Sequence, residues 1–336
     1  MSTLRFTALD GIRGVLAVMV MLSHMFGSLM GWPLVRPFSG AYLCVVYFFM
    51  MSGFVLTHAH SGGNFIKYLL TRLARLWPLH VISTTLMVLV YLYNKRHGGY
   101  VSSPDIFMIS TYIKNILFLH GVTSYSFQLI NEPSWSISIE FWASLLIPLI
   151  FTRLSLSIKI IIAAMSFIVL YLKNKSGIPP TFSTAALSML IGSICYQLTK
   201  NNMAITFIRE KYSLIFITFC GIICLTGIYA LNKSRLDFFL LIAFIPLLFT
   251  DFLPEGSYIT KILSSSFFSF LGYISFPLYL LHESIIVSGF LSVLPQNYLS
   301  LILASSSAIL IAFLYARFVD DYLYRYLKQR IASLFK

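Results

Sequence analysis

The feature that most constrains this chain is a series of apolar runs, each about 17–25 residues long, separated by short polar connections. A helix rises 1.5 Å per residue, so such a run matches the ~30 Å hydrocarbon layer of a bilayer. Ten runs are readable: 11–30, 39–58, 77–93, 135–152, 157–173, 182–198, 213–231, 236–252, 266–291 and 298–317. A soluble core cannot absorb that many. Only 10% of the 336 residues are charged and 58% are hydrophobic, against roughly 25% charged in an ordinary soluble domain. The sequence therefore predicts an all-α, polytopic integral membrane protein with about ten transmembrane helices.

One domain is expected over 1–336, with a basic tail at 318–336 and no appended soluble domain. The stretch Ile106–His120 is apolar, but Lys114 and Asn115 interrupt it, and an interfacial or re-entrant segment is expected there. The first run contains Arg13 and His24 and lacks a small-residue cleavage site, so it is expected to remain as a span. The four cysteines (Cys44, Cys195, Cys220 and Cys224) all fall in apolar runs and read as small buried hydrophobes.

The formal charge is +13. The basic residues sit in loops between apolar runs, so membrane lipids rather than nucleic acid account for them. With ten spans both termini share one side. That side and the even-numbered loops carry fourteen Lys and Arg, against eight opposite, which predicts cytoplasmic termini. The tail, with aromatics among its basic residues, suits a helix on an anionic membrane surface.

Ionisable groups inside spans are expensive, and each is a functional candidate. Arg13 and His24 are eleven residues apart, about 20° past three helical turns and ~16 Å in rise, so both lie on one helix face. A snorkelling arginine and a packed histidine are the structural alternative. Glu140 enters the fourth span in Pro133-Ser134-Trp135-Ser136-Ile137-Ser138-Ile139-Glu140, and His282-Glu283 lies past the middle of the ninth. The predicted topology places His24, Glu140 and His282 at similar depths in the outer half. A histidine within reach of a carboxylate is the usual arrangement for a general base; for His282 and Glu283, packing or an ion pair remains open.

Arg72 and Arg75, three apart before the third span, share a helix face where two guanidiniums suit phosphate, and positive-inside anchoring is the alternative. Ser52-Gly53 reads as a close helix approach more readily than as a nucleophile, since no base is placed to activate Ser52. His58 and His60 have no cysteine or carboxylate companion, and no metal site is expected.

Five segments in order resemble the acyltransferase 3 family, bacterial membrane enzymes that O-acylate sugars. They are Leu9-Asp10-Gly11-Ile12-Arg13-Gly14 continuing to His24; Phe48-Phe49-Met50-Met51-Ser52-Gly53-Phe54; Arg72-Leu73-Ala74-Arg75-Leu76-Trp77-Pro78; Trp135-Ser136-Ile137-Ser138-Ile139-Glu140; and Leu271-Gly272-Tyr273-Ile274-Ser275-Phe276-Pro277-Leu278-Tyr279-Leu280-Leu281-His282. The resemblance implies a ten-helix domain in the bacterial inner membrane. It takes an acyl group, usually acetyl, from cytoplasmic acyl-CoA to a hydroxyl on a glycan or lipid-linked sugar. No permanently bound cofactor is implied; acetyl-CoA or another acyl-CoA is the donor substrate.

By position His24 matches the family's essential histidine and Arg13 its partner, while Arg72 and Arg75 match the donor-associated arginines. Glu140 is expected to orient His24, with Ser52, Trp135 and His282 as further substrate-binding candidates. One departure is Phe141, where the family often has a second acidic residue. A proton-coupled transporter or flippase is the rival reading of the intramembrane charges, disfavoured because no inverted repeat is visible.

Overall fold

The computed structural model describes residues 6–30, 37–60, 63–122, 128–254 and 256–335. Arg5, Arg36 and Lys336, which entered the charge count for topology, lie outside them. The described residues form α1 (Thr7–Met30), α2 (Tyr42–Ala59), α3 (Phe65–His97), α4 (Ile109–Ile116), α5 (Ser134–Ser144), α6 (Leu146–Leu149), α7 (Leu156–Lys173) and α8 (Phe182–Leu198). They continue with α9 (Asn202–Ile208), α10 (Lys211–Ala230), α11 (Leu236–Phe244), α12 (Tyr258–Leu263), α13 (Ser266–Val287), α14 (Tyr298–Tyr315) and α15 (Asp321–Leu334). The protein is an all-α, polytopic membrane protein. Among the described residues, eight helical segments are long and apolar enough to cross a bilayer.

The two other expected spans are helical but shorter. Phe182–Leu198 has 17 residues. The 236–252 run divides at Ile245 into α11 and a 3₁₀ segment, Ile245–Phe252, with Pro246 at its start. Proline has no N–H for the α-helical ladder and crowds the preceding turn, which favours a break at this point, whereas α3 and α13 continue through Pro78 and Pro277. The α4 helix at Ile109–Ile116 has eight residues, a rise of about 12 Å, short of a bilayer crossing.

The chain forms two compact units, 1–20 with 37–62 and 143–273, and 21–36 with 63–142 and 274–336. In the first unit, the Asp251 carboxylate accepts the α1 amides of Ala8 (2.9 Å) and Leu9 (3.0 Å). The first turn of a helix leaves its N–H groups without intrahelical partners, and an anion there also meets the positive end of the helix dipole. The α2 and α8 helices pack at contact distance because Gly53 faces the Met189 backbone and Gly192 faces the Met50 backbone. Tyr47 stacks on Phe244 with centroids 4.0 Å apart.

The second unit is built on α3, whose 33 residues rise about 50 Å and extend well beyond the hydrocarbon layer. The Asn64 side chain caps its start, accepting from the amides of Ile66 and Lys67. Its end stops at Gly98 with φ 74°, the left-handed conformation that glycine adopts without steric cost. Three buried polar ties hold neighbouring elements to α13. Asn94 Nδ2 donates to the Val287 carbonyl (2.7 Å), Asn131 Nδ2 to the Leu280 carbonyl (3.0 Å), and Ser136 Oγ lies 2.7 Å from Tyr279 Oη. Such bonds are strongly favoured where no water can take their place. Together they fix the stretch of α13 that carries His282 and Glu283.

Candidate active site

His24, on the last third of α1, is brought to His282 and Glu283 in the second unit. Its Nδ1 lies 2.9 Å from His282 Nε2 and 3.7 Å from a Glu283 carboxylate oxygen. His282 is fully buried and Glu283 nearly so, whereas the His24 side chain is 36% exposed. One member of the cluster thus faces accessible space and two are enclosed.

The hydrogen bonds decide where the protons sit. His282 Nδ1 lies 2.9 Å from the Leu278 carbonyl, one turn back on α13. A carbonyl only accepts, so His282 Nδ1 carries the N–H, and in the neutral ring Nε2 is left as an acceptor. That acceptor faces His24 Nδ1, which therefore donates. In a neutral His24 the remaining lone pair is on Nε2, the nitrogen turned away from the enclosed pair. The Glu283 carboxylate lies beside the donating Nδ1. Pro277, five residues before His282, removes one ladder bond inside α13.

Glu140, expected beside His24, is the partner of Arg72. Its Oε1 accepts from Arg72 Nη2 at 2.8 Å, with side-chain exposures of 13% and 10%. The carboxylate adjoining His24 is Glu283. Arg72 Nε makes no hydrogen bond among the described residues.

Arg75 does lie one turn from Arg72 on α3, but each guanidinium has its own carboxylate. Arg75 Nη1 donates to Asp320 at 2.7 Å, and its guanidinium lies over the rings of Phe276 (5.2 Å) and Tyr324 (5.5 Å). Asp320 closes a π-helical turn, Ala316–Asp320, between α14 and α15. The pair of arginines thus ties α3 to α5 on one side and to the tail helix on the other.

Arg13 belongs to the first unit. It pairs with Asp10 one turn back (2.9 Å) and donates to the Gly272 carbonyl (3.3 Å). Ser52 is half-buried on α2, beside the glycine that meets α8, and Trp135 is half-buried in the first turn of α5. His120, in the connection before α5, is buried, and its Nε2 lies 3.0 Å from the Ser134 carbonyl. Burial pushes its pKa below the ordinary 6.5.

Two residues of these clusters were given no catalytic or binding role from the sequence, although Glu283 was marked there as an intramembrane ionisable group. Glu283 had a signal, since it is an acid inside an apolar run next to a histidine. Asp320 had none: it is 245 positions from Arg75 and sits among other charged residues.

The family model for an acyltransferase domain, acyltransferase 3, matches residues 6–317. The chain belongs to the acyltransferase 3 family. It is a multi-pass membrane protein carrying an acyltransferase domain, and the cluster around His24 lies within the matched region. A curated relative from Rhizobium radiobacter, protein 2 in the picA locus, is 38% identical over 100 residues. That match takes in 26% of this chain and spans about half of the relative's length, 47%. No solved structure matches the chain.

Proposed function

We propose that this acyltransferase moves an acyl group, usually acetyl, from cytoplasmic acyl-CoA to a sugar hydroxyl of a surface or exported glycan or its lipid-linked precursor. It would do so in the bacterial inner membrane, with both termini cytoplasmic. The single observation that carries the reading is the orientation of His24. Its Nδ1 is committed to two enclosed partners, which leaves Nε2 to carry the lone pair in a side chain that is 36% exposed.

In this mechanism His24 Nε2 takes the proton of the acceptor hydroxyl as the oxygen attacks the thioester carbonyl carbon. The tetrahedral intermediate collapses with cleavage of the C–S bond, and the departing thiolate takes the proton back from Nε2. His282 holds the tautomer, and Glu283 stabilises the imidazolium between the two proton transfers. A positioned base of this kind contributes about 10²–10⁴-fold. Arg75, whose side chain is 31% exposed, is assigned to the donor's phosphates. Arg72 supports it from the same face of α3 through its bond to Glu140. Arg13, with Asp10 holding one of its nitrogens, is assigned to the donor as well.

The test is transfer of labelled acetyl from acetyl-CoA to glycan in membranes carrying wild type or His24→Ala at equal abundance. Loss of about 10²-fold or more in the variant is expected. Retained transfer removes His24 from the chemistry. In the same membranes, Arg75→Gln should raise the apparent KM for acetyl-CoA; an unchanged KM assigns Arg75 to tethering the tail helix alone.

A further inference from the structure

The geometry points to a binding site for a borderline divalent transition ion, with Zn²⁺ the natural occupant, made by His24, His282 and Glu283. The three ligand atoms lie within 4.8 Å of one another. Two imidazoles and one carboxylate are a donor set suited to zinc, and three protein ligands leave a fourth tetrahedral position for water. Zinc bonds of 2.0–2.2 Å at tetrahedral angles put neighbouring ligand atoms about 3.3 Å apart. The observed 2.9 Å between the rings and 3.7 Å from His24 to Glu283 lie either side of that separation, and the third pair lies within 4.8 Å.

Two further features mark a built site. The second nitrogen of His282 is held by the Leu278 carbonyl, the outer support that metal-binding histidines ordinarily have, and it fixes Nε2 as the ligating atom. Glu283 and His282 are also enclosed, so the ion's charge is opposed by a carboxylate in surroundings where charge is weakly screened. The ion takes the place of the proton shared between the rings. Zn²⁺ bonds to His24 Nδ1 as the neutral ring changes tautomer, its one proton passing through solvent from Nδ1 to Nε2.

Occupancy has a chemical consequence, which rests on the proposed role of His24 as base. A neutral imidazole that gives its Nδ1 lone pair to the ion carries its proton on Nε2 instead. The lone pair offered to the acceptor hydroxyl disappears, and the enzyme is held inactive until the ion leaves. The site is therefore inhibitory, with ion and shared proton competing for one position.

The test uses the full-length chain purified in detergent and read without activity. Zn²⁺ binding is measured against a chromophoric chelator, and Co²⁺ binding by the visible absorption of its tetrahedral complex. One ion per chain is expected, with affinity lowered at least tenfold in Glu283→Gln and His282→Ala. If either enclosed variant fails to give monodisperse protein, His24→Gln, at the accessible position, carries the same expectation. His58→Gln/His60→Gln, elsewhere in the fold, should bind as wild type does. Absence of saturable binding overturns the proposal, as does equal binding in the cluster variants and wild type. Acetyl transfer is then measured with added Zn²⁺. Stoichiometric binding without inhibition leaves the ion site standing and removes only the base assignment; inhibition reversed by chelator supports both.

Discussion

The Arg72–Glu140 pair yields the sharpest energetic prediction. Its two side chains are about nine-tenths enclosed and joined at 2.8 Å. For a solvent-exposed pair the expected contribution is about 0–1 kcal/mol. Here the enclosure changes the arithmetic, because deleting one partner strands the other charge out of water at a cost of about 3–5 kcal/mol. Glu140→Gln and Arg72→Met should therefore each destabilise by that amount. Removing both leaves no charge to strand, so the double variant should lose only about 1–2 kcal/mol, from imperfect packing. The coupling between the two sites is then about 4 kcal/mol or more. The four proteins can be compared by unfolding in mixed micelles titrated with dodecyl sulfate, with helical circular dichroism as readout. Additive single losses, or single losses under about 1 kcal/mol, would refute the view that this ion pair is enclosed and mutually dependent.

Three other outcomes follow from the same geometry. Gly53→Ala would place a Cβ against the Met189 backbone, which cannot swing aside as a side chain could, so a loss of about 1–3 kcal/mol is expected in the same unfolding assay. Arg75→Ala removes the bond to Asp320 and the contacts with Phe276 and Tyr324; α15 should become cleavable by trypsin under conditions where the wild-type tail resists. Burial holds His120 below its ordinary value of 6.5, so in the folded state it refuses a proton that the unfolded chain accepts. Stability contributed above pH 6.5 is lost as pH falls toward the lower folded-state value. His120→Asn should cost stability at pH 7.5 yet give a flatter decline between pH 7 and 5 when unfolding is measured at both ends.

Much of the architecture was legible because a bilayer imposes a length and a composition on each segment independently of its neighbours. The ten apolar runs all fall on helical segments, but α3 begins at Phe65, twelve residues before the expected run of 77–93. A second departure, at 236–252, is the change from α-helix to 3₁₀ at Ile245, next to Pro246. Arg72 and Arg75 were readable as residues of one helix face because a three-residue spacing fixes their relative angle. Which carboxylates meet those guanidiniums was not readable. Glu140 is 68 positions from Arg72 and Asp320 is 245 from Arg75, distances over which helical periodicity carries no information.

The sequence by itself determined an all-α membrane protein, the apolar lengths of its spans, and the short set of ionisable residues expensive enough to demand a reason. It also marked His24 through its spacing from Arg13 and through the ordered family segments around it. Only the tertiary structure decided that Glu283, rather than Glu140, adjoins His24, and that His282 stands against the same ring nitrogen. The physical reason is that a span's hydrophobicity reports the surrounding lipid, while the partner of a buried charge is chosen by how separate helices pack. His24 and His282, 258 positions apart, share a proton position only because α1 and α13 bring them together.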